Sequence, residues 1–584
     1  MKTGFDSFAD GDTFDVAVIG AGAAGLGAAL FAALQGARVL VVEHTPFVGG
    51  TTAMSAGTTW IPGTQHAATV NATDTLAEAA RYLDNAVGHQ SPAALRQTFL
   101  DNGADVVRRL EADTEVKFRP YPKHPDYISD LGGSTLSGRA LEPLPFDGRL
   151  LGPLFKLLRL PIPEFTVLGG MMVDRTDVNH LLALTKSWAS FSHAVRILFR
   201  HGLDRLSYPR GTRLVMGNAL VARLLYSLSK HNSVALSVET SVAAIRKDGA
   251  GIAAVTLTHG TRLKDIKVTG GVILASGGFN LHAQKRGQRL PGVQPDWCPG
   301  APGHTGEAQD LALALGAQFG ASTGGPAGGQ AATPAFWAPV SLRRRPDGTQ
   351  AVFPHFVMDR AKPGMVTVNQ AGRRFVNEST SYHLFALAMQ AVAGGANSVP
   401  AYLVCDADAL RRYGVGMVRP GGKGLAPFLA DGYLTEADSL AGLAQKLDIP
   451  ADALQATVAR FNQMAADGVD TDFHRGETAY QQNIGDPAWP GKNPNLGALQ
   501  TAPFYAVRLY PGDIGASTGL VCDGHARVLD AAGQPIAGLY AAGNDMNSIM
   551  GGVYPAPGIT LGPALVFGAL AASHAVQRAR GAAR

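Results

Sequence analysis

The sequence predicts an α/β fold organised around a Rossmann-like nucleotide-binding unit, and three observations carry that expectation. A short apolar run, Phe14 to Gly20, ends in glycine and leads into a helix-forming stretch rich in Ala and Leu. Two distant segments, Val268 to Phe279 and Ala537 to Asp545, repeat the pattern of an apolar strand ending in small residues. The length of 584 residues allows two or three packed units with ample core. Both ends of the chain are therefore expected to build one unit.

In the first segment Gly20, Gly22 and Gly25 stand in GxGxxG spacing. The first permits a tight turn, the second lets a pyrophosphate approach, and the third lets helix pack on strand. Ala23 and Ala24 open the helix, whose first amides face the phosphates. A second strand, ARVLVVEH, ends at Glu43 and His44, eighteen residues beyond Gly25, where a carboxylate can accept hydrogen bonds from ribose hydroxyls. Next comes a loop containing Gly49, Gly50, Thr51, Thr52, Ser55, Ala56 and Gly57, able to present amides and hydroxyls to a pyrophosphate or a flavin ring. The returning strands end in Ala275, Ser276 and Gly277, and in Gly543 and Asn544. After YPAPG, a helix is expected from about Thr560. Free amides around Leu561 and Gly562 would suit the pyrimidine end of a reduced flavin.

Composition excludes several classes. Glycine, 71 of 584 residues, is about 12% against the usual ~7%, which favours many turns and close approaches to a ligand. Fifty basic against 46 acidic residues give a net charge of +4, so no nucleic-acid partner is expected. Cys298, Cys405 and Cys522 form no CxxC or zinc spacing, so no haem, iron–sulfur cluster or other metal is expected. The acidic N-terminus lacks a secretory core, and no run reaches the ~20 apolar residues of a span. A cytoplasmic protein is expected, with attachment to the inner face of the cell membrane still allowed.

These residues, with HTGEA at His304 to Ala308, PGMVTVNQAGRRFVNE at Pro363 to Glu378 and YPAPG at Tyr554 to Gly558, resemble the flavoprotein superfamily of fumarate reductase and succinate dehydrogenase. Within it they are similar to the 3-ketosteroid dehydrogenases. The resemblance implies FAD, with Val242 among its contacts, held by a discontinuous domain over 14–149, 207–330 and 506–584. An inserted α+β catalytic domain would span 331–505. It also implies a 3-ketosteroid substrate, an external electron acceptor (quinone-like or other), and introduction of a double bond between carbons 1 and 2.

Such a reaction needs a hydride acceptor, a base for the carbon 2 proton and a donor for the carbonyl oxygen; flavin N5 supplies only the first. In the 3-ketosteroid Δ1-dehydrogenases a tyrosine and a glycine in a YPGPG motif hold the 3-keto group. Tyr554 and Gly558 match them, while Ala556 replaces the central glycine. The base is implied to be Tyr382, where fumarate reductases carry an arginine; its neighbour His383 reads as a structural hydrogen-bonder. An assisting tyrosine is implied upstream: Tyr127 by spacing, with Tyr121 as the fallback. A phenol serves as base when its pKa of ~10 is depressed or another tyrosine relays charge.

Between 150 and 206 lies an amphipathic insert. Leu184, Trp188, Phe191, Val195 and Leu198 recur at helical spacing, with Lys186, His193, Arg196 and Arg200 opposite. Two placements are open: the apolar face packs on the protein, or it meets a membrane surface from which a sterol passes. Alternative activities on the same fold are a 4(5α)-dehydrogenation of 3-ketosteroids, a fumarate-type reduction, or steroid binding and electron transfer without chemistry. The Arg343–Arg345 run precedes PDGT and reads as an exposed turn instead of a dicarboxylate cradle.

Overall fold

The computed structural model describes residues 1–582 except 185, 321–325, 328–329, 332, 357–358 and 392–397. Its largest sheet has nine strands. Lys2–Thr3, Val234–Ser237, Val39–Val42, Thr13–Ile19 and Arg262–Leu274 lie side by side in parallel. The continuous apolar runs VAVI and VLVV suit central strands covered on both faces, and Val16, Val18, Val39 and Leu40 are fully buried. The Arg262–Leu274 strand does double duty. Its first half pairs antiparallel with Gly251–His259, and its last three residues run parallel to Pro535–Ala541 from the far end of the chain.

Helix Ala23–Leu34 is apolar all round because it is enclosed, packing closely on the C-terminal helix Leu561–Ala582. A Cβ on Gly27 would come within 3.1 Å of Leu565, so small residues set that spacing. The expected return of the C-terminus to the first unit is thus present in both sheet and helix.

A second, antiparallel sheet has six strands: Gln350–Pro354, Ala335–Arg344, Phe504–Ala516, Ala401–Asp406 and Met365–Val368 in order, with Leu434–Ala437 also on Phe504–Ala516. The Phe504–Ala516 strand pairs within this sheet from Phe504 opposite Asp406 to Ala516 opposite Ala335. The expected boundary at 505/506 therefore cuts a continuous strand, and the second unit reaches Ala516. Pro511 and Gly512 sit opposite Pro339 and Ala338 in register.

The 150–206 segment also differs from its expected bounds. Leu151, Phe155 and Leu158 belong to the main core, so the insert is anchored from its start. Its helix runs Trp188–Ser207, leaving Leu184 and Lys186 ahead of it. This helix is docked by its polar side. Ser190, Ala194, Ile197, His201 and Asp204 are buried; Asp204 accepts from the Thr212 N–H (2.7 Å), and His201 Nε2 meets the Leu168 carbonyl (3.0 Å). The apolar stripe faces outward, with Trp188 79% exposed and Phe199 68% exposed. Among the described residues no helix is long and apolar enough to cross a membrane.

Candidate functional site

At the carboxyl ends of the parallel strands the glycine turn, Glu43, Ala275 and Gly543 come together, the position where open α/β sheets bind ligands. Gly25 is obligatory there: a Cβ would lie 1.9 Å from the Gly20 carbonyl oxygen, so only glycine lets the helix sit on the turn. Gly22 is different, since a Cβ would meet nothing nearer than Thr52 Oγ1 at 3.9 Å, leaving open space over the helix start. The Glu43 carboxylate is fixed by the Ala21 N–H (3.0 Å) and by the Thr45 N–H (2.9 Å) and hydroxyl (2.7 Å). It borders a cavity lined also by Gly20, His44, Val242, Ser276 and Gly303. His44 Nδ1 pairs with Ser241 Oγ at 2.7 Å.

The hydroxyl-rich loop is used differently from expectation. Thr52 Oγ1 accepts from the Ala23 N–H (3.2 Å), Thr51 Oγ1 from the Ala301 N–H (2.9 Å), and Ser55 Oγ from the Gly57 N–H (3.0 Å). Thr52 and Thr51 thereby fasten the loop to the helix start and to the segment ahead of His304, and Gly49 is tied down too, its N–H donating to the Ala21 carbonyl (2.8 Å). Ala56 is exposed beside them. The Gly562 amide is not free either, for it donates to the Gly558 carbonyl (3.0 Å); the helix begins at Leu561.

Three residues outside the expected set complete this region. Asp545 accepts from the Ser276 hydroxyl (2.8 Å) and the Gly278 N–H (3.0 Å), locking the Ala275–Gly277 strand end beside Gly543 and Asn544. Thr45 holds Glu43. His304 bonds Thr51 through Nε2 (3.1 Å), while its buried Nδ1 lacks a partner and burial drops its pKa to about 4. HTGEA marks His304 in the sequence, but nothing local marks an Asp545 that acts 269 positions away.

The second half of the site is aromatic. Tyr127, Tyr382 and Tyr554 converge: the Tyr127 and Tyr382 hydroxyls are 3.3 Å apart, Tyr127 stacks on Tyr554 (5.9 Å between centroids, 14°), and Tyr382 meets Tyr554 edge-on (5.3 Å). Each comes from a different element. Tyr382 begins the helix Tyr382–Ala391 against Phe356 (4.8 Å). Tyr127 follows Asp126, whose carboxylate is held by Trp60 Nε1 and Arg139 (both 2.9 Å). Its N–H donates to the Pro555 carbonyl (2.8 Å), which also accepts from the Tyr82 hydroxyl (2.6 Å), strapping the early loop onto YPAPG. Tyr121 instead bonds Thr58 (3.1 Å), so the structure brings Tyr127 and not the fallback to Tyr382.

Gly558 has φ of 87°, and a Cβ would lie 2.4 Å from the Thr58 carbonyl oxygen. Its own carbonyl accepts from the Trp60 N–H (3.1 Å), which fixes its orientation. Ala556 is fully buried in the core. His383 Nδ1 accepts from the Trp337 N–H (3.2 Å), and burial holds its pKa down at about 3, so it is a neutral structural acceptor.

Burial pushes the Tyr127 and Tyr382 phenols well above their ordinary range. It raises Tyr554 too, with hydrogen bonds to Tyr382 and Thr560 pulling against it. A depressed phenol pKa is therefore absent, and the contact between hydroxyls is the route by which Tyr382 could lose and regain a proton. The walls are aromatic. Arg343 and Arg345 lie elsewhere, paired with Asp431 and Glu164, so no dicarboxylate cradle forms from that run.

The family model for the FAD binding domain matches residues 15–561. The chain is 35% identical to a 3-oxosteroid 1-dehydrogenase of Mycolicibacterium smegmatis, over 96% of this chain and 97% of that one. It is 34% identical to a 4-oxocyclohex-2-ene-1-carboxylate 5-dehydrogenase of Sinomonas cyclohexanicum, over 95% and 92%. The crystal structure of a 3-ketosteroid Δ1-dehydrogenase from Sterolibacterium denitrificans, in complex with 1,4-androstadiene-3,17-dione, superposes with a TM-score of 0.89 at 31% identity, covering 97% of this chain and all of that one. The open approach at Gly22, the Glu43 cavity and the unpaired His304 Nδ1 fit FAD as the resident cofactor. The chain belongs to the FAD binding domain family of flavoproteins, among its 3-oxosteroid 1-dehydrogenases.

Proposed function

We propose that the protein introduces the carbon 1 to carbon 2 double bond into 3-ketosteroids. The observation that carries this reading is the pair of touching hydroxyls, Tyr127 and Tyr382, against the face of Tyr554. The Tyr554 hydroxyl and the Gly558 N–H hold the 3-keto oxygen, which makes the carbon 2 hydrogen acidic and stabilises the enolate-like charge. Tyr382 takes that proton, and Tyr127 shifts its hydrogen bond to accommodate it. FAD, when bound along Gly20–Gly25, Glu43 and the Thr51 loop, would supply the hydride acceptor for carbon 1, with an external electron acceptor, quinone-like or other, closing the cycle. The buried aromatic walls exclude water from the enolate. We assign the cofactor to the unit of the nine-stranded sheet and the ketone pocket to its seam with the second unit.

The test is anaerobic titration of the FAD-loaded protein with ketones of varied ring saturation and side chain, plus an oxocyclohexanecarboxylate. A saturated-A-ring or 4-ene 3-ketosteroid should bleach the flavin and yield the 1-ene product. Bleaching by the small carboxylate alone would overturn the steroid assignment. Tyr554→Phe should lose ~10²- to 10³-fold in turnover with FAD content intact.

The outward stripe of the Trp188–Ser207 helix favours a bilayer as the second partner. Trp188, Phe191, Val195, Phe199 and Leu206 fall in one row, with exposed Lys186, Arg196 and Arg205 nearby, a pattern suited to an anionic membrane surface. Attachment there, at the inner face of the cell membrane, would let a poorly soluble steroid pass from lipid to the pocket. Because Leu151 and Phe155 are core residues, substitutions on the stripe test this better than deletion of 150–206.

A further inference from the structure

Two groups beside the tyrosines have no role in the scheme above. Tyr480 is 1% exposed, packs its ring on Tyr127 (4.8 Å between centroids), and turns its buried hydroxyl to the Arg360 guanidinium. Its backbone N–H is used, donating to Ser129 Oγ (2.9 Å). Phenylalanine would fill the same space for packing alone, so the hydroxyl set against a guanidinium marks a polar role. Arg360 is fully buried; its guanidinium donates to the main-chain carbonyls of His355 (3.1 Å), Phe356 (2.9 Å), Glu378 and Thr380 (2.6 Å) and also meets the Tyr480 hydroxyl. Among the described residues it forms no ion pair with a carboxylate. The neighbouring Asp359 carboxylate is engaged by His355 (2.7 Å) and the Gly416 N–H (2.8 Å). A buried guanidinium without a counter-ion is expensive unless negative charge appears beside it at some stage.

The groups bracket the reacting pair. The Arg360 guanidinium lies beside the Tyr480 hydroxyl, and its carbonyl bonds grip Phe356, which packs on Tyr382, and Thr380, two residues ahead of Tyr382. We propose that Arg360 is the counter-cation for one negative charge shared among Tyr382, Tyr127 and Tyr480, with Tyr480 the positioning residue that carries the charge within its reach. This rests on the dehydrogenase reading above. The proton count closes: the carbon 2 proton neutralises the shared phenolate on arrival at Tyr382, and one proton leaves the group for solvent before the next turnover. Burial pushes the Tyr480 phenol up, but Arg360 opposes it and holds the value at about 12. The other titratable groups facing the tyrosines are Tyr554, Tyr121, Tyr82, His124 and His383; burial drops His124 to about 4, so both imidazoles are neutral. Asp126, Asp130 and Arg139 face Tyr82, and Asp126 pairs with Arg139 at 2.9 Å.

The test uses FAD-loaded wild type, Tyr480→Phe, Arg360→Lys and Arg360→Gln. Tyrosinate absorbance in the near ultraviolet, titrated without steroid, should show a phenol step that moves about one pH unit upward, tenfold in the ionisation constant, in Tyr480→Phe and Arg360→Gln but not in Arg360→Lys. The acid limb of anaerobic bleaching by a 3-ketosteroid should move the same way, with Tyr480→Phe about tenfold slower at pH 7, equal in FAD content and no less heat-stable. A purely structural Tyr480 predicts superimposable titrations and bleaching profiles in Tyr480→Phe, and that result overturns the proposal. Should Arg360→Gln fail to fold, Tyr480→Phe decides, since it removes one hydroxyl and leaves the ring's packing in place. The titration is read without steroid, so it stands apart from any failure of the substrate assignment.

Discussion

Replacing Trp188 and Phe199 together by serine isolates the outward stripe. An aromatic side chain offers ~150–250 Å² of burial, and with Trp188 79% and Phe199 68% exposed, roughly 100–200 Å² of each ring remains available to a lipid phase. At ~25 cal/mol per Å², full insertion of each is worth about 3–5 kcal/mol, and half-depth insertion about 2. Losing both rings should therefore weaken partitioning by about 4 kcal/mol, close to 1,000-fold. Folding should hardly change, because neither ring supports the core: stability within about 0.5 kcal/mol of wild type is expected. The assay is co-sedimentation with vesicles containing anionic lipid, at low and high salt. Leu263→Ser provides the control, since Leu263 is 64% exposed on the distant Arg262–Leu274 strand. Equal sedimentation of the double variant and wild type would refute the reasoning, as would a wild type that ignores vesicles.

Other outcomes follow from the same geometry. Gly558→Ala places a methyl 2.4 Å from the Thr58 oxygen at φ of 87°, so turnover should drop at least ~100-fold while the flavin spectrum persists, measured by steady-state kinetics on the FAD-loaded variant. Glu378→Ala leaves the buried Arg475 without its carboxylate and Arg374 with Asp470 alone, and should cost about 3–5 kcal/mol in a denaturant melt. Burial raises the Glu378 pKa, and Arg374 and Arg475 more than reverse this, so its value is lowered from 4.5. Its contribution is thus present above that value and fades as pH falls through the folded one; acid melts of Glu378→Gln should lose this dependence. Burial raises Tyr382 and Tyr127, so the reactive phenolate gains population as pH rises, and stopped-flow bleaching should speed up steadily across neutral and mildly alkaline pH. A rate flat over that range would exclude a phenol base.

Local spacing made much of this molecule legible. Gly20, Gly22, Gly25 and Glu43 belong to one continuous strand–helix–strand unit, so a short window of sequence encodes them. Tyr554 and Gly558 are four residues apart in a proline-stiffened segment, and Tyr127 and Tyr382 follow from the family likeness. What stayed hidden depends on distant partners. Asp545 acquires its role only when Ser276 and Gly278 arrive beside it, and Tyr480 and Arg360 meet only in the folded seam. The 188–207 helix shows the same limit in another form. Its periodicity was readable, but the side that turns inward depends on Thr212 and Leu168 meeting Asp204 and His201, which periodicity does not encode. The 505/506 boundary, taken from the family pattern, falls inside a strand because the pairing of Phe504–Ala516 with its two neighbours is set by residues far away in sequence.

The strap from Tyr127 and Tyr82 to the Pro555 carbonyl joins a loop to a segment synthesised long after it, 473 positions on from Tyr82. A nascent chain thus carries its glycine turn well before Tyr554 and Gly558, the proposed ketone holders, exist. Chain termination anywhere before Pro555 leaves the early loop without its clasp, and it also leaves the nine-stranded sheet short of its closing strand or the helix that covers it. A copy cut short of Pro555 therefore lacks Gly558 together with the clasp.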